Sequence, residues 1–116
     1  MTAPTETQFT IVEQHVGRRA VLAVAGEVDM DTAPELQAAI EAAGIRAFEI
    51  WVDLTETTFM DSSGLHALNA ARAQLVLANR RLALVCPDGP VLRVLALTGL
   101  DEMFEIHGSR PAANVA

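Results

Sequence analysis

The sequence predicts an α/β fold: a mixed sheet of about four to five strands with helices packed on it. Three observations carry this. Strand-length apolar segments alternate with segments of helical periodicity in the order ββαβαβαβ, which implies a largely parallel sheet joined to an antiparallel edge hairpin. The run Phe48-Glu49-Ile50-Trp51-Val52-Asp53-Leu54 is apolar enough to be buried on both faces, as a central strand is. The longest helical stretch, 63–79, places Leu65, Leu68, Ala71, Leu75 and Ala78 on one inward stripe.

Taken in order, residues 1–7 are polar and are expected to be disordered. One domain is expected over 8–108, followed by a loose tail over 109–116. Residues 9–15 read as a first strand, and Gly17-Arg18-Arg19 as a turn into a second strand over 20–25. Residues 26–31 read as a loop. Thr32 then suits the N-cap of a helix, with Pro34 in its first turn and Glu35 at the capping-box position. Leu36, Ala39, Ile40 and Ala43 share one face of that helix, and Gly44 suits its C-terminal cap. Past the central strand, Asp53 reads as a strand-end residue that stabilises the next turn, and Thr57 and Thr58 as loop residues. Residues 82–85 form another strand. Pro90 opens a short helix reaching about Leu97, and 104–107 make a short final strand.

At 116 residues, half of them hydrophobic, the chain is one domain that buries a core without disulfide or metal staples. A net charge of −7 and a pI near 4.7 argue against a nucleic-acid backbone or an anionic membrane as partner. An acidic surface better suits a basic patch on another protein. All eight basic residues are Arg, so the phosphate-binding Gly-x-x-x-x-Gly-Lys loop is absent. Cys86 is the only cysteine, which leaves no internal disulfide and too few ligands for a cysteine-based metal site. His15, His66 and His107 show no metal-ligand spacing. The N-terminus lacks the basic and apolar regions of a signal peptide, and no apolar run approaches the ~20 residues of a membrane span. The expectation is a cytoplasmic protein with no metal, no cofactor of its own, no membrane insertion and no direct nucleic-acid contact.

The most informative segment is Phe59-Met60-Asp61-Ser62-Ser63-Gly64-Leu65. It lies between an apolar strand and the longest helix, so two serines sit at a strand-to-helix junction. A helix start offers unpaired N–H groups and a partial positive charge. Two readings follow from the residues alone. Asp61 or a serine caps the helix and Gly64 eases a tight turn. Alternatively, an exposed hydroxyl there carries a phosphate. Catalysis is disfavoured: the Gly-x-Ser-x-Gly elbow of serine hydrolases is missing, and acidic pairs such as Asp101-Glu102 have no evident cleft.

Together with Gly26-Glu27-Val28-Asp29 and Thr32-Ala33-Pro34-Glu35-Leu36, this segment resembles the bacterial anti-sigma factor antagonist (STAS) family, over roughly 9–106. The resemblance implies a single STAS domain and partner switching, with no enzymatic activity in this chain. The unphosphorylated form binds an anti-sigma factor that is itself a serine kinase, and a sigma factor is freed. The kinase uses its own ATP and Mg²⁺ to phosphorylate the first serine of Asp-Ser-Ser-Gly, here Ser62, and a serine phosphatase reverses the step. The resemblance places Asp29 at the same sheet end as Ser62, facing the kinase. Glu27, Met60, Asp61, Ser63, Gly64 and His66 complete the expected partner-binding surface. Each has a plainer reading too: Asp29 as an Asx-turn former, His66 as a surface residue, and Ser63 as a hydroxyl bonded into the first helical turn. A monomer or weak dimer is expected. STAS domains also serve as accessory subunits of membrane transport machines, including lipid ABC complexes; in that alternative the serine is a helix cap at a constitutive interface.

Overall fold

The computed structural model describes residues 8–111. The expectations of disorder over 1–7 and of a loose tail beyond 111 therefore lie outside the described residues. The elements are β1 (Thr10–Val16), β2 (Arg19–Val28), α1 (Ala33–Arg46), β3 (Glu49–Asp53), β4 (Thr57–Met60), α2 (Ser62–Leu77), β5 (Arg81–Val85), α3 (Pro90–Leu97) and β6 (Glu105–His107). A single 3-10 turn, Leu100–Glu102, joins the last two.

The sheet has six strands in the order β1-β2-β3-β5-β6, with β4 paired to β2 outside that row. β1 and β2 are antiparallel and the other pairings are parallel, as the alternation of elements predicts. β3 is central: Ile50, Trp51 and Val52 are buried on both faces. Phe48 lies just before β3 and is 46% exposed.

Even-numbered residues of β2, such as Leu22 and Val24, join Leu36, Ile40, Leu68, Leu75, Val91 and Leu95 in the main core. All three helices therefore cover one face of the sheet. The opposite face carries a small cluster of Val21, Trp51, Ala83 and Val85. Trp51 is 2% exposed there although no described helix lies over it. The Arg81 and Arg19 guanidiniums sit 5.3 and 5.7 Å from its ring, and the His107 ring lies 4.6 Å away. Glu49 ties this cover together by accepting from Trp51 Nε1 at 2.7 Å and from Arg19 Nε at 2.9 Å.

β4 is the main departure from the expected elements. Residues 26–31 were expected as a loop, yet β2 continues to Val28 and β4 forms beside it. Gly26 adopts φ of 95°, and the register shifts between Gly26 and Glu27. That bulge turns the end of β2 so that Glu27 pairs with Phe59 and Val28 with Met60. Thr57 is a buried strand residue rather than a loop former, because its hydroxyl donates to the Val24 carbonyl at 2.9 Å.

Smaller corrections concern the helix ends. Gly44 lies inside α1, which runs to Arg46; a Cβ there would meet Leu75 Cδ2 at 2.4 Å, so glycine lets α1 and α2 approach. Thr32 stands at the N-cap position without a side-chain cap bond, because its hydroxyl donates to the Glu27 carbonyl at 2.9 Å. α2 starts one residue early and ends at Leu77. Asn79 then takes φ of 58°, which leaves Ala78 exposed beyond the inward stripe.

The charged cover over Trp51 gives a pH prediction. Hydrogen bonds from Arg81 and His107, with the nearby Arg81 charge, hold the Glu105 carboxyl at about 2 instead of 4.5 despite partial burial. Burial alone would raise Glu49, and the bonds from Trp51 and Arg19 outweigh it, so its pKa is lowered as well. A carboxyl depressed on folding adds stability above its unfolded pKa and loses it as pH falls towards the folded one. The melting temperature should therefore fall between about pH 5 and pH 2. Arg81→Met should flatten that slope, as followed by thermal unfolding across the range.

Candidate functional site

Strand β4 ends at Met60 and α2 begins at Ser62, so a single residue, Asp61, makes the junction. Asp61 is extended, and its backbone N–H donates to the Val28 carbonyl at 3.2 Å. Its side chain caps the helix: Oδ1 accepts from Ser63 N at 2.9 Å and from Gly64 N at 3.4 Å. An aspartate at this position satisfies helix-end donors and complements the dipole. Asp61→Ala should cost about 1 kcal/mol, visible as a lowered urea midpoint with an unchanged slope.

With Asp61 as the cap, neither serine is needed for that task. Neither serine hydroxyl makes a hydrogen bond among the described residues, so the expected bond from Ser63 into the first turn is not formed. Ser62 is exposed and Ser63 half-buried. The hydroxyl of Ser62 stands at a helix N-terminus, facing solvent.

Beneath them, Gly64 is buried against the end of the sheet. A Cβ on Gly64 would lie 2.5 Å from Met60 Cγ and 2.9 Å from Val28 Cγ1. Met60 is only 3% exposed. Met60 and Gly64 were expected on the partner-binding surface; instead both are buried beneath the serines, because Met60 points inward from β4 and Gly64 lets the helix settle on it. The apolar groups that do reach solvent nearby are Phe59 and Met30, 46% and 73% exposed.

The loop from β2 to α1 lies alongside, placed there by the β2–β4 register. Asp29 Oδ1 accepts from Asp31 N at 3.0 Å and Thr32 N at 3.2 Å, and Asp29 N donates to Thr32 Oγ1 at 2.9 Å. This is the Asx-turn geometry that organises a loop around its own acid. Glu27 is exposed beside it. The loop and the start of α2 enclose an open groove of about 530 Å³, in which Ser62, Ser63 and His66 face Met30, Pro34 and Gln37. Ser62, Ser63 and His66 thus line one groove. Met30 and Gln37 were missed; a lone methionine within an otherwise acidic loop was the available signal.

Asp53 lies apart from this groove. It accepts from Thr55 N and Thr55 Oγ1 and from Arg110 Nε, which fits its expected role in the turn after β3. Among the described residues, no group of three or more His, Cys, Asp and Glu side chains is placed to hold a metal ion. No described helix is long and apolar enough to cross a membrane.

Comparison with known proteins agrees with this geometry. The family model described as "Mlab, STAS domain" matches residues 11–106. The anti-sigma-B factor antagonist of Listeria monocytogenes is 34% identical over 84 residues, which span 72% of this chain and 74% of that protein. The anti-sigma-F factor antagonist RsfB of Mycobacterium tuberculosis is 32% identical over 110 residues, 94% of this chain and 88% of that protein. The crystal structure of an anti-sigma factor antagonist from Mycobacterium paratuberculosis superposes with a TM-score of 0.80 at 30% identity, covering 94% of this chain and 92% of that one. The chain belongs to the STAS domain family, alongside the anti-sigma factor antagonists.

Proposed function

We propose that this protein is an anti-sigma factor antagonist that acts by phosphorylation-controlled partner switching. In its unphosphorylated form it binds an anti-sigma factor that is also a serine kinase, and the sigma factor is released. The kinase, which holds the ATP and Mg²⁺, transfers a phosphoryl group to Ser62 Oγ, and the partner dissociates. A serine phosphatase restores the binding form. This chain takes part as ligand and substrate, and not as an enzyme, in the cytoplasm.

One observation carries the reading most directly: Asp61 performs the capping, so the exposed Ser62 hydroxyl has no structural task at the helix start. The names of the relatives support the same function. In the transport-subunit alternative the serine itself would be the cap, a task that Asp61 performs here. Within the groove, Ser62 is the acceptor, and Ser63, His66, Glu27 and Met30 offer contacts to the partner. Asp61, Asp29, Gly64 and Met60 hold those residues in place.

Incubating the chain with its cognate kinase and ATP–Mg²⁺ should incorporate phosphate at Ser62, located by peptide mass spectrometry. Ser62→Ala should abolish incorporation while retaining partner binding. Undiminished incorporation in that variant would assign the acceptor elsewhere.

A further inference from the structure

The two edges of the sheet are unlike. β6 is three residues long. β1 runs for seven residues in unbroken register with β2, from Thr10↔Ala25 to Val16↔Arg19. Edge strands are ordinarily blunted by charged side chains, proline or a bulge; β1 has no lysine, proline or bulge, and its one acid, Glu13, is neutralised by Arg46.

The free side of β1 can be specified. Gly17 at φ of 61°, followed by Arg18, makes a two-residue turn with glycine first, the type II′ hairpin. Such a turn closes on a hydrogen-bonded pair, here Val16↔Arg19. By the alternation of an antiparallel ladder, the even-numbered residues of β1 bond inward to β2. The N–H and C=O groups of Ile11, Glu13 and His15 then point to an edge that no described residue covers.

The side chains add a second pattern. Ile11 packs on the main core, and Glu13 is paired with Arg46 of α1 at 2.6 Å and with His15 of its own strand, so the odd residues lie on the helix side. Val12 and Val16 lie on the helix-free side, 55% and 43% exposed.

We propose that β1 pairs antiparallel with β1 of a second copy of this chain, on a two-fold axis at Gln14. In this register the outward-facing Glu13 and His15 bond to the partner's His15 and Glu13. Each Glu13 then meets a His15 across the strand, twice per interface, and each exposed Val12 meets a Val16. Cross-strand pairs of opposite charge or of β-branched residues are favourable, and directly opposed like charges are not. A two-residue shift centred on Glu13 would oppose two carboxylates. A further shift, centred on Val12, would set Ile11 against Glu13 and leave Val16 bare. One strand thus supplies both halves of every pair, as an isologous interface requires. The contact uses no residue of the Ser62 groove, so pairing and phosphorylation are separable.

Sedimentation velocity of the full chain over a wide concentration range should show a reversible monomer–dimer equilibrium. A monomer at every concentration would overturn the proposal. His15→Pro removes one outward N–H without touching the β1–β2 ladder and should weaken dimerisation at least tenfold with circular dichroism preserved. Val12→Lys should weaken it through a side chain instead, again with the fold preserved; unchanged dimerisation in both variants would overturn the pairing.

Disulfide trapping reads the register. Gln14→Cys should cross-link to itself on mild oxidation, since opposed residues at a non-hydrogen-bonded site lie within disulfide reach. Val12→Cys should not cross-link to itself, but should do so with Val16→Cys in a mixture. Native Cys86 does not interfere, being buried, with its thiol pushed up to about 11 by burial and by the Asp53 charge. Cross-linking of Val12→Cys alone, without Gln14→Cys, would overturn the register.

Discussion

Phosphorylation of Ser62 should lower affinity for the anti-sigma partner at least 100-fold, with the melting temperature within a few degrees of the unmodified protein. The phosphate adds about −1.5 to −2 charges and three acceptor oxygens. At Ser62 it meets a helix start whose Ser63 and Gly64 N–H groups are already held by Asp61. The helix dipole still tolerates the charge, so the domain stays folded. The partner loses most. A surface packed over Ser62 would have to desolvate a dianion flanked by Asp61, Asp29 and Glu27. A loss of about 2.7 kcal/mol is enough for the stated factor, small beside the cost of burying an unpaired charge. Ser62→Asp should weaken binding only in part, since a carboxylate carries less charge and fewer oxygens. Calorimetric titration of the three forms measures this, and equal affinities would contradict an electrostatic switch.

Replacing Gly64 should produce the largest loss of stability among single changes at the site. Alanine at this helix position gains up to about 1 kcal/mol over glycine in backbone terms. Its Cβ, however, would sit 2.5 Å from Met60 Cγ and 2.9 Å from Val28 Cγ1. Both neighbours are buried in the core between β2, β4 and α2, where overpacking costs about 1–3 kcal/mol. The clash outweighs the propensity gain, so Gly64→Ala should lower the melting temperature by several degrees, and Gly64→Val by more. Met60→Ala in the Gly64→Ala background should recover part of that loss, since it removes the nearer of the two clashing atoms and leaves Val28 Cγ1. Additive losses in the double variant would show that the contact is not the cause. The same displacement tilts the first turn of α2, so phosphorylation of Ser62 should slow in the single variants.

Much of this arrangement was legible in the sequence because its signals are local. The β1–β2 hairpin, the buried β3, the long α2 and the junction at Ser62 follow from runs of apolar residues, a turn glycine and an acid before a helix. What escaped depends on residues far apart in the chain. β4 exists because Gly26 bulges and the Thr57 hydroxyl reaches Val24, and neither is visible in the short segment 57–60. Gly44 carries the composition of a helix end but serves the approach of α1 to Leu75. Met60 and Gly64 sit within the motif that marks the site, yet contribute from below, because β4 turns Met60 inward. The thirty-odd residues between Asp29 and Ser62 likewise hide that their loops share one groove.

The central claim, that Ser62 is the reversible acceptor, is tested most directly by intact and peptide-level mass spectrometry. The protein would be purified from its native cells, before and after phosphatase treatment. A single phosphate on Ser62 that the phosphatase removes is the predicted result. Phosphate confined to Ser63, or none under any growth or stress condition, would contradict the account.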